Sequence, residues 1–210
     1  AIEQLYAAIR DARSYPDNKQ PLEEVEARRA RGRSEDPATL EEQLQAAVDT
    51  DELTRVHSRR RFYELLNEEL RRAVRYHRPL SLIMFDVDRF KLINDTHGHM
   101  TGDKVLAFLS DAVRSQIRES EHLARFGGDE FMLLLPETRF DDAMRTAERL
   151  RASLAAQPYG ALGPIGCSFG VCEHVPGEAS DDLIRCVDQA LYAAKAAGRG
   201  VVMAGTRPPG

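Results

Sequence analysis

The feature that most constrains the fold is the run Leu80–Phe85, which opens after Pro79 and stops at Asp86-Val87-Asp88. A short apolar run bounded by proline is the pattern of a buried strand, and alternation along a strand points Asp86 and Asp88 to one face. The chain must therefore build a sheet in which a buried strand delivers carboxylates to the edge. A second acidic pair, Asp129-Glu130, follows Gly127-Gly128 between the strand-like segments His122–Phe126 and Phe131–Leu135. That pattern reads as a hairpin with its turn in the middle. If the two strands are neighbours, one carboxylate from each segment reaches a common spot.

The remaining segments supply the cover for such a sheet. Arg60–His77 carries Phe62, Leu65, Leu66, Leu70, Ala73 and Val74 at helical spacing, and Gly102–Ile117 carries Val105, Leu106, Leu109, Val113 and Ile117 on one face. Ala143–Leu154 reads as a helix, Ile165–Val175 as a strand, Asp181–Ala197 as a helix stopped by Gly198, and Val201–Met203 as a short closing strand. After an entry helix the order is β-α-β-β-α-β-α-β. This predicts an α+β fold with a ferredoxin-like or palm-type central β-sheet covered by helices, and an N-terminal helical extension.

Upstream of about Thr50 the texture changes to a charged sequence without a continuous core pattern. Ile2, Leu5, Ile9 and Ala12 follow coiled-coil spacing for less than two heptads. Ser14–Pro37 reads as a linker or solvated helix, and Thr39 with Glu42 has the spacing of a capping box that opens a second helix. The net charge of -5 gives no reason to expect nucleic-acid or anionic-membrane binding, while leaving room for a local basic phosphate pocket. No apolar run is long enough to span a bilayer, and the amphipathic start is unlike a signal peptide. The chain begins without Met, as a piece of something longer does. Cys167, Cys172 and Cys186, odd in number and irregular in spacing, read as reduced core residues of a cytoplasmic protein rather than a disulfide framework or zinc site.

The paired acids suit a specific chemistry. Oxygen-ligated Mg²⁺ needs only one or two protein carboxylates when phosphates and waters complete its octahedron. Two such ions can activate an attacking oxygen and stabilise a leaving one during phosphoryl transfer. The competing reading is that each acidic pair decorates a turn. Gly127-Gly128 lets a backbone without Cβ approach a ligand, and it is also good material for a plain hairpin. His97 and His99 alternate in a glycine turn, which is poor ligand spacing, so they read as structural. The chain has no Gly-x-x-x-x-Gly-Lys sequence, which argues against a P-loop NTPase.

At this point a family resemblance enters. Arg125-Phe126-Gly127-Gly128-Asp129-Glu130-Phe131 resembles the signature of GGDEF diguanylate cyclases letter for letter, as does Phe85-Asp86-Val87-Asp88-Arg89-Phe90-Lys91-Leu92-Ile93-Asn94-Asp95 with Gly98-His99 and Gly102-Asp103. Asp51-Glu52-Leu53-Thr54 is similar to the family's entry motif, and Lys195 with Arg199 resembles its C-terminal phosphate-contacting pair. The likeness runs from about Asp51 to Met203. It implies a catalytic domain at 51–205, preceded by a signalling or dimerising segment at 1–50 and followed by a tail at 206–210. It also implies condensation of two GTP into cyclic di-GMP, with Mg²⁺ as cofactor and Mn²⁺ able to substitute.

Residue by residue, the resemblance implies Asp86, Asp129 and the Val87 carbonyl as metal ligands, and Asn94 with Asp103 as guanine readers. A carboxylate suits the adjacent N–H donors of guanine, and adenine would leave it partly unpaired. Phe90 and Lys91 line the triphosphate pocket through backbone N–H groups beside Gly127 and Gly128. Lys195 and Arg199, four apart and hence on one helix face, neutralise phosphate charge, and Glu130 polarises the attacking hydroxyl. Two departures stand out. Where the family usually continues Gly-Leu-x-Asn-Arg-Arg, this chain has Arg55-Val56-His57-Ser58-Arg59-Arg60, which predicts altered linker geometry. Where an inhibitory product site usually reads Arg-x-x-Asp, Arg118 is followed by Glu121.

Further implications are a homodimer for catalysis, since one subunit holds half of the reacting set, and an upstream sensory domain acting through the N-terminal helices. The rival readings are a non-catalytic receptor for GTP or cyclic di-GMP and a cyclase acting on a single nucleotide. The full signature argues against the first, and the guanine-reading pair against the second.

Overall fold

The computed structural model describes residues 49–206. Among these, five helices and five strands follow in the order α1 (Arg59–Tyr76), β1 (Leu80–Val87), α2 (Phe90–His97), α3 (His99–Arg114), β2 (His122–Gly127), β3 (Glu130–Pro136), α4 (Phe140–Ala156), β4 (Cys167–Glu173), α5 (Ser180–Ala196) and β5 (Val202–Ala204). The expected element order and the α+β palm-type sheet are therefore present. The coiled-coil seam at Ile2–Ala12 and the helix expected from Thr39 lie outside the described residues.

The sheet runs β2-β3-β1-β4-β5. β1 lies at its centre, antiparallel to β3 and β4, while β4 pairs in parallel with β5. All eight residues of β1 are buried because it is hydrogen-bonded on both sides and covered on both faces. One face carries Ile83, Phe85, Val87, Leu133 and Val171 under α3 and α4; the other carries Leu82, Met84, Met132, Leu134 and Cys172 under α1 and α5. Phe85 stacks on Phe131 and on Phe169, with ring centroids 5.3 and 5.0 Å apart. Such pairs contribute about 0.5–1.5 kcal/mol beyond their buried area and fix the register directly beneath the acidic edge.

The helix expected over Gly102–Ile117 starts earlier, at His99, and is preceded by the separate helix α2. Gly98, at φ +82°, breaks the chain between them. α2 fully buries none of its residues, and only Phe90 and Ile93 rest half-buried against the core, a stripe too short to announce a helix by itself. A larger correction concerns the cysteines. Cys172 on β4 and Cys186 on α5 form a disulfide with their Cα atoms 6.4 Å apart, and only Cys167 is a free, buried thiol. A strand–loop–helix return over 14 residues places the pair face to face, which linear spacing does not announce. No described helix is long and apolar enough to cross a membrane.

Candidate active site

β1 presents Asp86 on the face covered by α5. It is 4% exposed and pairs in register with Glu130 of β3 and Ser168 of β4. The turn at Gly128-Asp129 joins β2 to β3, so the second acidic pair arrives beside the first, as the hairpin pattern predicts. Burial pushes Asp86 up from 3.8 to about 6; the hydrogen bond and charge of Lys195 pull it back, while Asp129 and Asp88 push it further up. Its Oδ1 is buried with no hydrogen-bond partner. An orphaned carboxylate oxygen under pressure from two neighbouring acids is a place for a cation. Among the described residues no group of three or more His, Cys, Asp and Glu side chains could hold an ion unaided, so a metal shell here would also draw on backbone, water or ligand oxygens.

α5 supplies the counter-charge. A Cβ on Gly170 of β4 would lie 2.4 Å from both Leu191 N and Val187 O, so the glycine lets the helix backbone rest directly on the sheet. That approach brings Lys195, in the last turn of α5, into an ion pair with Asp86 Oδ2. Burial pulls the Lys195 ammonium down, but Asp86, then Glu130 and Asp129, outweigh it and hold Lys195 above its usual value. Arg199 departs from expectation. α5 ends at Ala196, so Arg199 is not on the helix face with Lys195 but lies beyond it, at φ +68°. Its N–H donates to Ala194 O at 3.1 Å, and this closing turn, entered through Gly198, ends the helix before the spacing of four can apply.

The guanine-reading candidates meet at the α2–α3 junction. Asn94 Oδ1 is buried without a hydrogen-bond partner against Gly102, where a Cβ would come within 1.9 Å of it. Asp103 follows at the start of the second turn of α3, exposed to solvent. Phe90 rests half-buried against the core and Lys91 is exposed at the start of α2, whose Ncap residue, Arg89, makes no side-chain capping bond. The first N–H groups of a helix have no intrahelical partner and favour an anion.

Two arrangements escaped the sequence reading. Arg125 donates from Nε to Gly128 O at 2.9 Å and from Nη1 to both oxygens of Asp51 at 3.3 Å. Asp51 in turn accepts from Thr54 N–H at 2.9 Å and Thr54 Oγ at 2.6 Å. Burial pushes the Asp51 carboxyl up, but the Thr54 bonds and then Arg125 outweigh it and hold it below its usual value. The entry motif thus clamps the glycine turn from 74 residues away. Both residues sit in the quoted motifs, yet nothing in their spacing shows the contact. After Thr54 the chain enters the first helix through a tight turn. Arg55 adopts the left-handed conformation, φ +58°, that a glycine favours, and Ser58 Oγ caps α1 by accepting from Arg61 N–H. The second arrangement is centred on Asp88, whose oxygens accept from Ser168 and Gly200.

Arg118 and Glu121 lie in the turn before β2. Glu121 Oε2 accepts from the Arg118 backbone N–H at 2.8 Å, and no ion pair joins the Arg118 guanidinium to Glu121 among the described residues.

Sheet, acidic edge and uncapped helix start define a palm-type α+β domain with an acidic rim beside the N-terminus of α2. The chain belongs to the GGDEF family, for residues 48–201 match the family profile described as diguanylate cyclase, GGDEF domain. It is 42% identical over 163 residues to diguanylate cyclase DgcP of Pseudomonas aeruginosa, covering 76% of this chain and 24% of that protein. It is 41% identical over 165 residues to diguanylate cyclase DgcM of Escherichia coli, covering 79% of this chain and 40% of that one. The chain therefore spans less than half the length of these relatives. Its fold is similar to the coiled coil and GGDEF domain of DgcB from Caulobacter crescentus in complex with c-di-GMP, with a TM-score of 0.78 at 31% identity over 86% of this chain and 99% of that one. It is also similar to diguanylate cyclase SiaD in complex with its activator SiaC from Pseudomonas aeruginosa, with a TM-score of 0.73 at 35% identity over 97% and 75% of the two chains.

Proposed function

We propose that this chain is a diguanylate cyclase, condensing two GTP into cyclic di-GMP and two pyrophosphates with the help of Mg²⁺ or Mn²⁺. The observation that carries the reading is the buried, unpartnered Oδ1 of Asp86 beside the acidic glycine turn and within reach of Lys195. Asp86, Asp129 and the Val87 carbonyl would hold the divalent cation. When bound, it neutralises triphosphate charge and makes the 3′-hydroxyl easier to deprotonate. Lys195 keeps its charge at neutral pH and screens the acids from one another, and Arg199 adds positive charge next to it. The N–H groups at the start of α2, around Phe90 and Lys91, meet phosphate oxygens, while Gly127 and Gly128 leave the backbone open to close approach. Glu130, next to Asp86 in the sheet register, accepts the proton of the attacking 3′-hydroxyl. The new bond joins that 3′-oxygen to the α-phosphorus of a second GTP as the bond to the β-phosphate oxygen breaks and pyrophosphate leaves.

Each subunit holds one GTP, so the reaction requires a symmetric homodimer in which two such rims face each other, and residues 1–48 are where an upstream sensory domain or an activating partner sets that geometry. Incubation with GTP and Mg²⁺ followed by product chromatography tests the reading. Cyclic di-GMP is expected from the wild type and none from Asp129→Ala; product from both, or from neither, would overturn it. Asp103 and Asn94 read guanine in this scheme. Asp103→Ser is expected to lower the preference for GTP over ATP by about ten- to a hundredfold, measured as the ratio of kcat/KM values. An unchanged ratio removes Asp103 from that role.

A further inference from the structure

Asp88 is the second acid of the pair at the end of β1, and its surroundings differ from those of Asp86. Its Oδ1 accepts from Ser168 Oγ at 2.6 Å and its Oδ2 accepts from Gly200 N–H at 2.9 Å. Gly200 N–H also lies 3.1 Å from Ser168 Oγ, and Gly200 O accepts from Arg151 Nη1 of α4 at 3.2 Å. The Asp88 backbone N–H donates to Gly166 O at 2.9 Å. Three separate parts of the chain, the end of β1, β4 and the loop after α5, thus meet at one carboxylate, and α4 joins them through Gly200 O. Whereas Asp86 keeps one oxygen unpartnered, both oxygens of Asp88 are already engaged by the protein.

The loop secured in this way is Gly198-Arg199-Gly200. It is short, flanked by glycines on both sides of Arg199, and all three residues sit at positive φ. Two glycines offer the unbound chain many alternative conformations, so a fixed placement of Arg199 depends on bonds at the loop's ends. One is Arg199 N–H to Ala194 O, and the other is Gly200 N–H to Asp88.

Taken together, the geometry points to Asp88 as a positioning residue. With Ser168 it latches the Gly198–Gly200 loop against the end of β1, so that Arg199 is presented to the substrate's phosphates at a fixed distance from Asp86. The inference rests on the proposed reaction and adds to it a role for an acid that would otherwise be counted with the metal ligands. It predicts a loss of substrate affinity when the latch is broken, and Ser168→Ala breaks it without removing any charge that acts on Asp86.

Steady-state kinetics on the full chain tests this. Asp88→Ala is expected to raise KM for GTP by about tenfold, the loss typical of hydrogen bonds to a charged group, with kcat changed much less. In Ser168→Ala, which leaves every acid in place, the Mg²⁺ concentration for half-maximal rate at saturating GTP stays as in the wild type. Arg199→Ala raises KM by a similar factor, and the double variant is no worse than the worse single one. Asp88→Asn, which keeps one acceptor oxygen, recovers part of the affinity, and Ser168→Ala loses less than Asp88→Ala does. A shifted Mg²⁺ requirement in Ser168→Ala, or KM increases that multiply in the double variant, would overturn the latch. If Asp88→Ala fails to fold, Asp88→Asn and Ser168→Ala carry the same comparison. Amide exchange of Gly200, followed without nucleotide, is independent of turnover. It is expected to speed up in the Asp88 and Ser168 variants, and unchanged exchange sinks the proposal even if the wild type makes no product. Absence of wild-type product counts against the proposed reaction alone.

Discussion

The two halves of the acidic rim are built by different means. Asp86 belongs to a central strand, hydrogen-bonded on both sides, with a lysine from the overlying helix already paired to it. Asp129 belongs to a hairpin turn at the sheet's edge, where Gly127 and Gly128 are exposed and position depends on the reach of Arg125 to Gly128 and Asp51. The first half is fixed by the fold, at the expense of a buried carboxylate. The second is held by a side-chain clamp whose other end lies in the segment that connects the domain to whatever precedes it.

The largest expected effect separates the halves by stability. Removing either acid, as in Asp86→Asn or Asp129→Ala, is expected to lower turnover by about a thousandfold or more. Only the buried acid carries a folding penalty. The Asp86 carboxyl in the folded chain titrates near 6, above its unfolded 3.8, so the native state binds the extra proton and stability falls as pH rises between those values. In EDTA at pH 7, Asp86→Asn is therefore expected to unfold at higher denaturant than the wild type, by up to about 3 kcal/mol, with the difference vanishing below pH 3.8. The exposed-turn variant Asp129→Ala is expected to leave stability nearly unchanged. Equal stability of all three proteins at pH 7 would break the contrast.

A smaller effect probes the clamp. Asp51→Ala and Arg125→Ala are each expected to reduce turnover by about tenfold, and the double variant by little more than either, because each removes the same tether. Multiplicative losses would mean that the two residues act separately. Smaller again is Arg55→Gly, which relieves the left-handed arginine in the entry turn and is expected to stabilise the domain by up to about 1 kcal/mol in urea unfolding, with kcat unchanged.

The smallest effect concerns His57 and His122, whose rings lie 5.9 Å apart where the entry segment joins β2. Burial pulls both imidazoles below their usual value. At His57, His122 and Arg61 add to this while Asp49 opposes it; at His122, Glu69 and Glu68 oppose it while Arg61 adds. Depressed folded values mean that their contribution to stability is complete above the unfolded 6.5 and fades as pH falls through the folded values. Thermal melts from pH 7.5 to 5.5 are expected to show a gentler decline in His57→Asn than in the wild type. Parallel curves would remove the pair from any such role.

Much of this was legible along the chain. The central strand and hairpin were readable because burial on two faces demands a continuous apolar run and a glycine turn demands its residues. Asp86 and Asp129 stood out by position within those elements. Short α2 left little trace, since only Phe90 and Ile93 rest against the core and the helix fully buries none of its residues. The Cys172–Cys186 bridge, the placement of Arg199 beyond the end of α5, and the contacts of Arg125 and Asp88 were equally hidden.

Sequence by itself determined the order of elements, the core faces and the types of residue at the rim, because these follow from local periodicity and from which side chains water rejects. Tertiary structure decided which of those residues meet. Asp86 finds Lys195, Asp88 finds Gly200 and Asp51 finds Arg125 across separations of 74 to 112 residues, through helix-to-sheet approach and loop closure. Contacts of that kind arise from the packing of whole elements in three dimensions, and no local pattern encodes them.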